Sequence, residues 1–168
     1  MELNGQMDWM QWNWDDELKK YVTEITEPVD CIVLGRKLAQ GFIPHWASNP
    51  EAEGADKFNS TKKVVFTKTL DKSEWENTVL AKGDLVDEIT NLKEQDGKDM
   101  IVFASSKVVQ SFTNAGLIDE YRVVVHPVIL GSGKRLLDKI TARHDLKLES
   151  AKPYKSGAVL LRYVVATQ

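Results

Sequence analysis

At 168 residues, with 42% hydrophobic and 28% charged residues, the chain has the length and mix of one ordinary globular domain needing no metal or disulfide staple. Its 22 basic and 25 acidic residues leave a net charge of −3, which argues against a nucleic-acid partner, because that requires a basic surface to displace counterions. The single Cys31 excludes an intramolecular disulfide, no stretch approaches the roughly 18 apolar residues of a membrane span, and the start MELNGQMDWM lacks the basic and apolar regions of a secretory signal, so a cytoplasmic protein is expected.

Residues 14–26 read as an amphipathic helix, with Leu18, Tyr21, Val22 and Ile25 at i, i+3, i+4 and i+7 and Asp15, Asp16 and Glu17 at its positive end. Pro28 closes it. Cys31-Ile32-Val33-Leu34 is a short, continuously apolar strand ending at Gly35, in which the thiol reads as buried and inert. Residues 36–43 read as a brief helix, and 45–60 as a polar loop with helix near 55–58. Residues 63–67 form a second strand, and residues 84–96 a helix with Asp84 as N-cap and Gly97 as stop. Met100 to Phe103 is a third strand, followed by a helix over 106–115 that buries Val108, Val109 and Phe112 and stops at Gly116. Tyr121 to Val125 is a fourth strand, and 145–150 with 158–166 an antiparallel pair joined through Pro153 and Ser156-Gly157. Apolar strands separated by helices predict an α/β fold: a mostly parallel sheet covered on both faces, with antiparallel C-terminal strands at its edge.

Several residues are candidates for chemistry. Gly35-Arg36-Lys37 directly follows a buried strand, where glycine permits close backbone approach and two cations suit a phosphate. Thr67-Lys68 ends the next strand in the same way, and ligands of open α/β sheets bind beyond the carboxyl ends of strands. Ala104-Ser105-Ser106 ends the third strand before a helix, where free amides and hydroxyls favour an anion, although a purely structural N-cap serine is an equal reading. Gly131-Ser132-Gly133-Lys134 fails the P-loop pattern at Val128 and the dinucleotide fingerprint at Leu136, so a tight turn is the better reading. Trp9, Trp12 and Trp14 crowd one segment, where they either floor a flat-ring pocket, bury an oligomer contact or pack the first helix. His45, His126 and His144 have no metal-site spacing, and no GxSxG elbow is present.

Four segments in this order carry a resemblance: Val33-Leu34-Gly35-Arg36-Lys37, Val64 to Leu70, Gly116 to Tyr121, and His126-Pro127-Val128-Ile129-Leu130-Gly131-Ser132-Gly133. The chain resembles the small stand-alone relatives of the C-terminal reductase domain of the riboflavin-biosynthesis deaminase-reductase, which has the dihydrofolate reductase fold. The resemblance spans about Gly5 to Val165 as one domain. It implies an NADPH-dependent reductase of a small heterocyclic or pyrimidine- or pteridine-like substrate, acting as a homodimer, without nucleic acid or membrane. The alternative is a non-catalytic nucleotide- or partner-binding dimer that keeps the fold.

The resemblance further implies that Gly35, Arg36 and Lys37 lie along the cofactor phosphates and that Thr67 and Lys68 lie by the adenosine end, with Lys68 meeting a 2′-phosphate. It places Ala104, Ser105 and Ser106 by the pyrophosphate, and Gly131 and Gly133 near the substrate pocket, for which Trp9 and Trp12 are candidates by their residue type. Asp8 and Asp15 are the candidate proton donors. Relatives begin with one further strand ahead of Asn4, which this sequence lacks, so two rows of backbone groups are expected to be unpaired. The deaminase signature HxE with PCxxC is absent, which excludes that step.

Overall fold

The computed structural model describes residues 15–103 and 106–166. In chain order the elements are α1 (Asp16–Thr26), β1 (Val29–Gly35), α2 (Arg36–Ser48), α3 (Ala55–Ser60), β2 (Lys62–Phe66), β3 (Thr78–Ala81), α4 (Leu85–Lys93), β4 (Asp99–Val102), α5 (Ser106–Asn114), β5 (Glu120–Val125), β6 (Leu146–Pro153) and β7 (Val159–Val165). They group into two compact units, residues 23–117 and residues 15–22 with 118–166.

In the 23–117 unit, β3-β2-β1-β4 form a wholly parallel sheet. Five of the seven β1 side chains are among the buried apolar residues, the continuous run a doubly covered parallel strand requires. Ile32, Leu34 and Val65 pack under α2 and α3 through Ala39, Ile43 and Phe58. The opposite face receives α5, where Phe66 meets Phe112 edge-on at 5.6 Å between ring centroids. Helices therefore cover both faces.

Most elements fall where the residue pattern puts them. Asp84 caps α4, its carboxylate accepting from the Val86 and Asp87 amides. The α5 terminus is a Schellman motif: the Leu117 amide donates to the Phe112 carbonyl and the Gly116 amide to that of Thr113, with Gly116 at φ +66°. Two differences have physical causes. α2 continues through Pro44 to Ser48, because Ile43 is buried and Trp46 stacks on Phe58 at 4.5 Å, packing that outweighs the amide proline removes. Strand β3 was hidden by its brevity and by half-exposed Thr78 and Leu80 beside exposed Val79, since its position at the sheet edge leaves it only partly covered.

In the other unit the antiparallel order is β5-β7-β6. Among the described residues these three strands pair with one another, β7 between β5 and β6. The 153–157 connection turns at Gly157, φ +84°, as the residue types indicate. One face of this sheet packs against α1 through Leu18, Tyr154, Ala158 and Leu160. The same face carries Glu120, whose carboxylate pairs with Arg122 and, at 2.6 Å, with Arg162.

Candidate functional site

All four strands of the parallel sheet run the same way, so their carboxyl ends form one edge. The register aligns them: Gly35 pairs with Phe66 and Phe66 with Ala81, while Val33 pairs with Val102. With strands spaced about 4.8 Å apart, the β1, β2 and β3 ends fall within roughly 10 Å. The turns at Gly35 and Thr67 thus meet at this edge, as does the end of β4, which α5 follows from Ser106.

Chain order gives this edge a further property. From β1 the chain moves outward through β2 to β3 and then returns to the opposite side of β1 as β4. The direction therefore reverses between β1 and β4, the kind of position where open α/β sheets leave a crevice for ligands. Gly35 stands on one side of it and Ser106 on the other.

Gly35 is the N-cap of α2 with extended φ −83° and ψ 149°, and no side chain caps the helix. The first amides of a 13-residue helix therefore face the edge uncapped by any side chain, with the positive end of the helix dipole behind them. Arg36 donates to the neutral Gln40 side chain at 3.4 Å, with no carboxylate partner among the described residues, and Lys37 is exposed. Lys68 is exposed as well, without a carboxylate partner among the described residues. This is the chemistry of an anion cradle.

Thr67 has a more defined part than its residue type suggests. It is buried, its amide donates to the Ala81 carbonyl, and its Oγ1 accepts from the Thr69 and Leu70 amides at 3.2 and 3.1 Å. The hydroxyl folds the loop that carries Lys68. Sequence reasoning missed Lys82, which follows β3 at the same edge and pairs with Asp71 at 3.2 Å. The signal was the apolar Thr78–Ala81 run closed by Lys82-Gly83-Asp84.

Asp15, Gly131 and Gly133 belong to the unit of the antiparallel sheet. Asp15 caps α1 by accepting from the Leu18 amide at 2.8 Å, and it also accepts from the Ser156 amide at 3.1 Å. The Leu18 hydrogen bond, chief among these causes, holds its carboxyl below the usual range, which disfavours the protonated form a donor needs. Gly131, at φ +71°, and Gly133 belong to an exposed turn of the unit containing the antiparallel sheet. Asp8, Trp9, Trp12, Trp14, Ala104 and Ser105 lie outside the described residues. Cys31 is buried, and burial pushes its thiol up, as expected of an inert core cysteine. Buried Lys63 sits at the amino end of β2, away from this edge, where Nζ donates to the Asn59 and Thr61 carbonyls. Among the described residues no helix is long and apolar enough to cross a membrane.

An α/β protein with uncapped helix amides and exposed cations at the carboxyl edge of its parallel sheet is the class these features define. The chain belongs to the RibD C-terminal domain family, which residues 3–160 match. It is 30% identical over 164 residues to the Bacillus subtilis protein YyaP, covering 95% of this chain and 85% of that protein. A crystal structure of a protein ascribed to riboflavin biosynthesis in Shewanella sp. PV-4 superposes with a TM-score of 0.80 at 19% identity, over 99% of this chain and 91% of that one. The Thermotoga maritima diaminohydroxyphosphoribosylaminopyrimidine deaminase/5-amino-6-(5-phosphoribosylamino)uracil reductase superposes with a TM-score of 0.70 at 16% identity, over 98% of this chain and 52% of that one. These structures share the dihydrofolate-reductase-like α/β fold of this chain.

Proposed function

We propose that the chain is a cytoplasmic NADPH-dependent reductase of a small heterocyclic, pyrimidine- or pteridine-like compound, linked to riboflavin- or folate-type metabolism. The observation that carries the reading is the uncapped α2 start beside Arg36, Lys37 and Lys68 on one aligned strand edge. Family membership supports the reaction class, since the Thermotoga relative is by name a uracil reductase.

In this reading the first α2 amides, Arg36 and Lys37 hold the cofactor phosphates. Thr67 fixes the loop that presents Lys68 to a 2′-phosphate. Bound NADPH supplies the hydride, while the protein supplies binding, orientation and electrostatics.

Thermal melts with each nucleotide test the reading. At a hundredfold excess over its Kd, NADPH is expected to raise Tm by about 5–10 °C, and NADH at the same concentration by less. Lys68→Ala is expected to weaken NADPH about 10- to 100-fold, the worth of one charged hydrogen bond, and to leave NADH unchanged. Equal losses for both nucleotides would remove Lys68 from the 2′-phosphate. No shift with either nucleotide would overturn the reductase reading.

A further inference from the structure

Two turns leave the carboxyl edge side by side, one after β2 and one after β3. Phe66 pairs with Ala81, and the Thr67 amide donates to the Ala81 carbonyl at 3.1 Å, so Lys82 lies beside Thr67, one residue from Lys68. At a strand spacing of about 4.8 Å, the two lysine backbones are close enough for both ammonium groups to reach one phosphate.

The two cations differ in what already holds them. Lys68 is exposed and has no carboxylate partner among the described residues. Lys82 Nζ is held by Asp71, at 3.2 Å from its carboxylate and 3.4 Å from its backbone carbonyl. Other acids nearby are engaged: Glu74 pairs with Lys72, Asp84 accepts from the Val86 and Asp87 amides, and Glu88 accepts from the Gly83 amide. Asp71 follows Lys68 by three residues on the loop that Thr67 folds. One loop therefore carries both a free cation and the acid that occupies the next one.

Asp71 is fully exposed and Lys82 nearly half-exposed, and ion pairs in such surroundings hold by no more than about a factor of five. A phosphate monoester carries a charge of about −1.5 to −2 and three strong acceptor oxygens, so it competes well against one carboxylate. We propose, resting on the dinucleotide site proposed above, that Asp71 and Lys82 set its nucleotide preference: Lys82 leaves Asp71 for the 2′-phosphate, and the Asp71 carboxylate holds that affinity down. A nucleotide with a free 2′-hydroxyl meets no such repulsion and leaves Lys82 paired. The preference is then the difference between a cation gained and an acid left nearby.

Calorimetric titration of the full chain with NADP+ and NAD+, which differ only in the 2′-phosphate, tests this without turnover. Lys82→Ala is expected to weaken NADP+ about 5- to 10-fold and to leave NAD+ within about twofold, with an unchanged far-UV spectrum. Asp71→Asn is expected to strengthen NADP+ about two- to fivefold, again with NAD+ unchanged. A pair that only pins the loop is broken by either substitution, and both would then move affinity in the same direction. Shifts in the same direction, no shift, or equal effects on both nucleotides would overturn the proposal while wild-type binding of NADP+ leaves the dinucleotide site standing. A wild type that binds neither nucleotide would overturn the site and this inference together.

Discussion

Leu34→Ala probes the strand on which the candidate site is built. Leu34 has no solvent exposure and packs in the cluster of Ile32, Ala39, Ile43, Phe58 and Val65, one residue before Gly35. The substitution removes three carbons, worth about 2.4 kcal/mol in transfer free energy. A residual cavity of roughly 75 Å³ adds about 1.8 kcal/mol if the surroundings do not relax, so the expected loss is about 4 kcal/mol. For a chain of this length that lowers Tm by about 10 °C. Urea unfolding followed by far-UV circular dichroism measures it, with Val79→Ala at an exposed β3 position expected to stay within about 0.5 kcal/mol of wild type. A loss under about 1.5 kcal/mol for Leu34→Ala, at unchanged m, would refute β1 as the packed centre of a doubly covered sheet.

Two other expectations are independent of that one. Gly116→Ala forces a left-handed residue at the end of α5, where an added Cβ meets nothing within 4 Å, so the cost is conformational alone, about 1 kcal/mol by urea unfolding. An unaffected midpoint would mean that the Schellman turn is not formed. The Arg162 hydrogen bond, helped by Arg122, holds the Glu120 carboxyl below the usual carboxylate range despite its partial burial. A folded pKa below the unfolded value near 4.3 gives stability that is full above about pH 5 and lost as pH falls through the folded pKa. The urea midpoint of Glu120→Gln is therefore expected to fall less than that of the wild type on acidification from pH 6 to 3. Parallel acid losses would show that these ion pairs carry no such linkage.

How far the residues alone reach differs from element to element. The β1 apolar run, the Asp84 cap and the Gly116 stop are local signals, and the fold uses all three. Residues 36–43 read as a brief helix, whereas Trp46 packing on Phe58, a contact across twelve residues, carries α2 onward. Thr67 and Lys68 were legible as polar groups after a strand, but the turn that Oγ1 builds was not. Lys82 escaped notice because β3 is short and half-exposed. Asp15 reads in the sequence as an acid at the start of α1 and a candidate proton donor, and only a chain segment 141 residues away shows its second carboxylate oxygen accepting from the Ser156 amide.

The sequence by itself determined the α/β class, most helix and strand positions and the cations that follow β1 and β2, because propensity, capping and apolar period act over a few neighbouring residues. Tertiary structure decided the register that aligns Gly35, Phe66 and Ala81, and the reversal of chain direction beside β1. It also decided which face of β7 is covered. Leu160, Arg162 and Val164 alternate with Val159, Leu161, Tyr163 and Val165, and period two alone does not say which set meets a helix. Strand pairing and helix docking join residues far apart in the chain, and that is where the site and the choice of covered face arise.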